Sequence, residues 1–142
     1  MLLVDANVLL YSVNTAAEQH VRARTWLDRV LGDDEPVGFA WTVILAFLRL
    51  ATHPGVFRSP LDLDDAVGVL RDWLGQAPAL VVQPTTRHLD LLAGLLGEAG
   101  TAGNLVSDAH LAALAVEHDA TLVSFDTDFG RYRGLRWRQP EA

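Results

Sequence analysis

The feature that most constrains this chain is a short apolar run that ends in an acid. Residues 1–4 read MLLV and lead directly to Asp5, after which ANVLLYSVN has the composition of a short helix. A strand that is apolar throughout is typical of a parallel sheet covered by helices on both faces. A second run, ATLVSFD, also ends in an aspartate, Asp126. The sequence therefore predicts buried strands whose carboxyl ends carry acids.

The rest of the chain extends this alternation of strands and helices. The runs PVGFA, ALVVQP and LRWRQ indicate further strands, and helical patterns lie between them at 17–32, 41–52, 62–75, 85–100 and 107–119. We expect Thr85 or Thr86, and Ser107, to cap the last two helices. The pattern predicts one α/β domain over residues 1–142, a three-layer α/β/α sandwich with a mainly parallel sheet. In such sheets the functional site lies beyond the carboxyl ends of the strands.

Composition narrows the classes of function. The net charge is −7, which argues against a general nucleic-acid coat protein but not against a nuclease, because a cation site is itself acidic. All eleven basic residues are arginine. The absence of lysine excludes a P-loop nucleotidase and a response-regulator receiver. No cysteine is present and no basic segment precedes the first apolar run, so we expect a cytoplasmic protein without disulfides or thiolate metal sites.

Four acids occupy places where a shared pocket can form. Asp5 and Asp126 end strands, Asp128 follows closely, and Asp108 lies in the first turn of a helix. Carboxylates at close range repel each other unless a cation neutralises them. Oxygen ligands without cysteine or paired histidine favour Mg²⁺ or Mn²⁺ over zinc, and such an ion can assist displacement at a phosphorus centre.

Each acid also has a purely local explanation. Asp5 is suited to cap the helix that begins at Ala6, and Asp108 complements a helix dipole. Asp126 and Asp128 are common turn residues. From the residues alone, both interpretations stay open.

Three segments in combination resemble PIN-domain ribonucleases of the VapC toxin type. They are LLVDANVLLY, FLRLATHPGVF and SDAHLAALAVEHDATLVSFDTDF, and with the spacing between them they span essentially the whole chain. The resemblance implies a parallel α/β/α fold and RNA cleavage that depends on Mg²⁺ or Mn²⁺. It also implies a homodimer and a small VapB-like antitoxin that binds and blocks the enzyme.

The same resemblance implies roles for individual residues. It makes Asp5, Asp108 and Asp126 the catalytic metal ligands, Asp128 an additional candidate ligand, and Asn7 and Ser124 supporting polar residues. One departure concerns the middle helix, where the family often has a glutamate and this chain has Ala46. Asn7 also stands where a haloacid-dehalogenase-type phosphatase would need an acid, which disfavours that class. A PIN-like module that binds RNA or protein without cutting is the alternative.

The densest basic segment, RYRGLRWR, is the candidate for RNA contact. It contains Arg131, Arg133, Arg136 and Arg138. Its tyrosine and tryptophan are candidates for stacking on bases. A solvated edge strand is the competing interpretation. For the antitoxin, we expect a basic side chain to enter near Asp5 and Asp108, received by the helices at 17–31 and 41–52.

Overall fold

The computed structural model describes residues 1–141, and within them the chain forms five strands, six α-helices and a short 3-10 helix. The elements are β1 (Leu2–Val4), α1 (Ala6–Val13), α2 (His20–Leu31), β2 (Val37–Ala40), α3 (Trp41–Ala51), α4 (Leu63–Leu74), β3 (Ala79–Val82), α5 (His88–Ala99), α6 (Leu105–Glu117), β4 (Thr121–Val123), the 3-10 helix (Thr127–Arg131) and β5 (Arg136–Arg138). Within the same residues, none of the helices has the length and apolar character needed to span a membrane.

The strands form one sheet in the order β3-β2-β1-β4-β5, and all four pairings are parallel. β1 lies at the centre, where Leu3 and Val4 have no exposed surface and neither do Leu122 and Val123 of β4. Burial on both faces explains why these strands read as continuous apolar runs. The predicted α/β class with a mainly parallel sheet is confirmed.

The helices pack on one another as well as on the sheet. α1 contacts α2 and α3, α3 contacts α4, and α5 and α6 form a helical pair. Phe47 of α3 is fully buried and meets Trp73 of α4 edge-on, with 5.1 Å between the ring centres. These contacts fix the helices that follow β1 and precede β4, and so fix both sides of the site described below.

The predicted Ser107 cap is wrong, whereas the Thr85 hydroxyl accepts a hydrogen bond from the Arg87 N–H at 3.2 Å, just before its helix. α6 begins at Leu105, so Ser107 lies inside its first turn instead of capping it. α5 begins at His88, and the carboxylate of Glu117, from α6, accepts a hydrogen bond from the Thr85 backbone at 3.0 Å. The same carboxylate lies 3.2 Å from His88 Nδ1. A residue distant in sequence thus binds the segment where a local cap was expected.

Candidate active site

Asp5 lies at the carboxyl end of β1, beside the end of β4. Its backbone N–H donates to the carbonyl of Val123 at 3.0 Å, which continues the pairing of the two strands. One carboxylate oxygen, Oδ1, accepts a hydrogen bond from the Ala6 N–H at 2.7 Å and so caps α1. The other, Oδ2, accepts from the Ser124 hydroxyl at 2.6 Å and from the Asn7 amide at 3.3 Å. Asp5 therefore caps α1 with one oxygen, and its other oxygen binds Ser124 and Asn7.

The hydroxyl of Ser124 joins three groups around this carboxylate. It donates to Asp5, and it accepts hydrogen bonds from Asn7 Nδ2 and from the Asp126 backbone N–H, each at 3.0 Å. A hydroxyl has one donor and two acceptor positions, so its capacity is fully used. Ser124 has no exposed surface. The sequence-predicted supporting residues, Asn7 and Ser124, are thus in contact with Asp5.

Asp126 and Asp128 lie in the turn after β4. Asp126 Oδ1 accepts from the Asp128 N–H at 2.9 Å and caps the 3-10 helix. Asp128 is exposed, and its carboxylate lies 3.5 Å from Arg131 Nη2. This part of the local interpretation, an acid-rich turn, is also correct.

Asp108 completes the acidic group from the first turn of α6. Burial raises the pKa of Asp108 to about 6, and the negative charges of Asp126, Asp5 and Asp128 contribute to the rise. The charge of Arg131 acts in the opposite direction. Carboxylates that raise one another's pKa share a common electrostatic field. Asp108 and Asp126, which are 103 and 121 positions away from Asp5 in the sequence, thus act on one another electrostatically.

Burial also raises the pKa of Asp5. Hydrogen bonds from Ser124 and Ala6 favour its charged form and oppose the rise, and the charge of Asp126 adds to it. In the folded protein, ionisation of Asp5 and of Asp108 therefore costs more free energy than it does in water. Such a cost is typical of functional sites.

The donor set fits a hard divalent cation in its chemistry. Every candidate ligand is a carboxylate oxygen, which Mg²⁺ and Mn²⁺ prefer. Among residues 1–141, however, no three histidine, cysteine or acidic side chains cluster closely enough to coordinate one ion together. Mg²⁺ commonly keeps several waters and takes only one or two carboxylates directly. The assignment of Asp5, Asp108 and Asp126 as joint ligands stays a prediction.

The four arginines predicted to contact RNA have different partners in the structure. Arg131 lies beside the acids, where its charge acts on Asp108. Arg136 donates to Asp119 at 2.9 Å, and Asp119 lies just before the amino end of β4. Arg138 lies 3.4 Å from Glu141, and Arg133 is exposed. Arg136 and Arg138 are both exposed, at the two ends of β5, and RNA contact by the four arginines stays a prediction.

Of the two aromatic residues of this segment, Tyr132 is not free for stacking on bases, which corrects that part of the prediction. Tyr132 is buried, and burial raises the pKa of its phenol with a contribution from the charge of Asp108. Trp137 is half-buried, and its indole N–H donates to the Ser124 carbonyl at 3.1 Å. The Trp137 indole thus supports the acidic turn, and stacking of its ring on a base stays a prediction.

Ala46 is half-buried on the flank of α3. The buried stripe of that helix consists of Val43, Ile44, Phe47 and Ala51, and Ala46 is outside it. A larger side chain at this position is therefore not forced into the core. Whether it would reach the acids stays a prediction.

A cleft of about 390 Å³ lies away from the acids, between α1, α2 and α4. Apolar side chains of Val13, Leu31, Val69 and Trp73 line it, with Arg24, Asp28 and Asp72 among its polar residues. Its shape and composition suit a peptide segment better than the reaction that the acids would support. Of the two helices predicted to receive a partner, α2 borders this cleft and α3 contributes none of its lining residues.

Comparisons with known proteins agree on one family. The family model described as PIN domain matches residues 2–135. Over 142 residues the chain is 55% identical to Ribonuclease VapC37 of Mycobacterium tuberculosis, which covers 100% of this chain and 99% of the relative. It is 39% identical over 140 residues to Ribonuclease VapC33 of the same organism, covering 99% and 98% of the two chains.

Solved structures share the fold at low sequence identity. The VapBC2 complex from Rickettsia felis, bound to a DNA fragment from its promoter, has a TM-score of 0.67 at 19% identity and covers 99% of this chain and 98% of that one. VapC20 of Mycobacterium tuberculosis, described as a toxin that cleaves the sarcin-ricin loop, has a TM-score of 0.68 at 17% identity, with 96% and 99% covered.

Replacement of Asp108 tests the electrostatic cost of the acidic group. Its pKa is raised, so the folded state holds the carboxyl proton more tightly than the unfolded state between pH 3.8 and about 6, and ionisation above that window destabilises the fold. In chelator at pH 7.5, we expect Asp108→Asn to raise Tm by about 2–5 °C. This advantage should shrink as the pH falls through 6 towards 4. Thermal melts across that pH range measure it.

The matched control is Asp34→Asn, in an exposed loop, which should leave Tm almost unchanged at every pH. An Asp108→Asn protein that is no more stable than the parent at pH 7.5, or whose advantage grows on acidification, would contradict the electrostatic account.

Proposed function

The chain belongs to the PIN-domain family, and from that premise we propose that it is a Mg²⁺-dependent endoribonuclease and the toxin of a toxin–antitoxin pair. The observation that carries the proposal is the Ser124 hydroxyl, which binds both Asp5 and the Asp126 backbone where the parallel strands β1 and β4 end. The pKa of Asp108, raised to about 6 by burial and by the charges of Asp126 and Asp5, agrees with it. Acids held together against their repulsion gain free energy from a bound cation. The 55% identity to a ribonuclease over the whole chain supports RNA as the substrate.

The proposal gives each acid a role. Asp5, Asp108 and Asp126 would hold Mg²⁺ or Mn²⁺, with Asp128 as an additional ligand. When bound, the ion supplies an activated water and neutralises charge on the phosphate under attack. Because the acids bind a cation only in their ionised form, metal affinity should weaken below the pKa of Asp108. The cytoplasmic location stays a prediction from the sequence.

The polar residues around the acids hold Asp5 and the backbone of Asp126 in fixed positions by hydrogen bonds. Ser124 and Asn7 fix one oxygen of Asp5, and the Ser124 hydroxyl also fixes the backbone of Asp126. A carboxylate whose hydrogen bonds are already in place does not reorganise when charge develops nearby. Of the candidate RNA-contact residues, Arg131 has the best support, because its charge already acts at the acidic site.

Loss of one acid should abolish cleavage without loss of the fold. We expect Asp126→Asn and Asp5→Asn to reduce Mg²⁺-dependent cleavage of an RNA pool by about 100-fold or more, because each removes charge that holds the ion. Asp64→Asn, an exposed acid on α4, is the control and should cleave at the parental rate. Gel assays with and without chelator, on proteins of matched far-UV circular dichroism, measure the effect.

Two results would count against the proposal. Cleavage by Asp126→Asn in chelator would show that the activity arises elsewhere. A parental protein that binds RNA but does not cut it with Mg²⁺ or Mn²⁺ would favour the alternative, a PIN-like module without catalysis.

The proposed partner is a VapB-like antitoxin, and the cleft between α1, α2 and α4 is its proposed docking surface. The similarity to VapBC complexes supports this kind of partner. The cleft has apolar walls for an amphipathic segment and an acidic residue, Asp72, for a basic one. A basic side chain of the same partner would reach the acids and silence them. We also propose a homodimer, which light scattering would test.

A charge placed in the cleft should weaken the partner complex. Val69 lines the cleft, so we expect Val69→Glu to reduce recovery of the co-expressed antitoxin by about tenfold or more, since it would desolvate a carboxylate against apolar surface. Leu89→Glu, on an exposed part of α5, is the control and should retain the antitoxin. Equal recovery with both variants, at equal thermal stability, would place the partner on another surface.

An acid at position 46 should strengthen metal binding if α3 faces the ion. Ala46→Glu would add a carboxylate from the flank of the helix, where the family often has one. We expect a tighter Mg²⁺ Kd and a lower Tm in chelator, because like charge is added near other acids. Calorimetric titration measures both proteins, with Ala46→Gln as the neutral control. No gain in affinity for glutamate over glutamine would show that position 46 does not face the site.

A further inference from the structure

The loop Ser124–Asp126 is held from two sides, and its middle residue, Phe125, has no role in the proposed chemistry. On the side of α1, Asn7 Oδ1 accepts a hydrogen bond from the Phe125 N–H at 3.1 Å. The ring of Phe125 meets Tyr11 of α1 edge-on, with 5.2 Å between ring centres. One wall of the loop is therefore formed by the helix that Asp5 caps.

The segment Trp137–Pro140 forms the other wall. The indole N–H of Trp137 donates to the Ser124 carbonyl, and the Ser124 N–H donates to the Arg138 carbonyl, both at 3.1 Å. The side-chain amide of Gln139 donates to the Phe125 carbonyl at 3.4 Å. The backbone of the acidic loop thus depends on residues that follow it by more than ten positions.

Arg22, on α2, connects these two walls. Its Nε donates to the Pro140 carbonyl at 2.6 Å and its Nη2 to Gln139 Oε1 at 3.2 Å. Its guanidinium carbon lies 5.3 Å from the centre of the Phe125 ring. Within residues 1–141, no carboxylate forms an ion pair with Arg22. Its donors are directed at neutral oxygens, so its contacts fasten a segment and do not neutralise an acid.

We infer that Arg22 is a positioning residue, which fixes the loop that carries Asp126 by fastening Gln139 and Pro140 to the Phe125 ring. This inference rests on the proposed ribonuclease function. A guanidinium has planar donors in a fixed fork and a face that packs on an aromatic ring, and no other side chain makes all three contacts at once. A shift of the loop by a fraction of an ångström would misplace an acid that must meet a metal ion and a phosphate.

The first test measures the loop without metal or RNA. The N–H groups of Phe125 and Asp126 are hydrogen-bonded to Asn7 and to Ser124, so hydrogen exchange reports how well the loop is held. In Arg22→Met we expect both amides to exchange about tenfold faster, while the amides of β1 are unchanged. Arg22→Lys should lie between Arg22→Met and the parent, because it keeps a cation beside the ring. Arg29→Met is the matched control, since Arg29 is exposed on the same helix.

The second test separates positioning from RNA contact. We expect Arg22→Met to lower kcat for RNA cleavage by about 10- to 100-fold with little change in KM, and Arg22→Lys to recover part of the loss. Gln139→Ala should produce the same faster hydrogen exchange at the amides of Phe125 and Asp126 as Arg22→Met. The double variant should be no worse than the more affected single variant, because both residues act through one loop.

The outcomes decide the two proposals separately. Unchanged exchange at Phe125 and Asp126, faster exchange throughout the protein, or a raised KM at constant kcat would each overturn the role of Arg22. A parental protein that fails to cut RNA in Mg²⁺ would defeat the proposed function, whatever the exchange of the loop shows.

Discussion

The hydroxyl of Ser124 holds together the ends of the two central strands. It bonds to Asp5 after β1, to the Asp126 backbone after β4 and to the Asn7 side chain from α1. With no exposed surface, it has no water to replace a lost partner, and its removal would leave several polar groups unsatisfied. The parallel pairing of β1 with β4 brings the acids to one edge, and this hydroxyl sets their orientation there.

Much of the fold was predictable because its pattern is local. A strand buried on both faces must be apolar along its length, so β1 and β4 could be recognised from their residues. Parallel topology then places Asp5 and Asp126 at one edge, whichever helices lie between them. The contact of Asn7 with Asp5 agrees with the resemblance that first selected it.

The errors have a common cause, which is contact between residues distant in sequence. Glu117 binds the Thr85 backbone across 32 positions, and no local cap signal could have shown it. Tyr132 appeared exposed in a basic segment, yet the packing of the 3-10 helix buries it. The contact of Arg22 with Pro140 was missed for the same reason, because the two residues are 118 positions apart. The helix propensities and turn signals of a single segment carry no information about such partners.

The position of the acidic loop late in the sequence has a consequence for folding during synthesis on the ribosome. Asp5 is made well before its partner Ser124, which is 119 positions further on, and Gln139 and Pro140 follow after that. The centre of the sheet therefore stays open until β4 is available, which makes its closure a late, long-range step in folding. A nascent chain that has not yet emerged as far as β4 has only part of the acidic edge. The sheet order β3-β2-β1-β4-β5 therefore leaves the acidic edge incomplete until translation has passed β4.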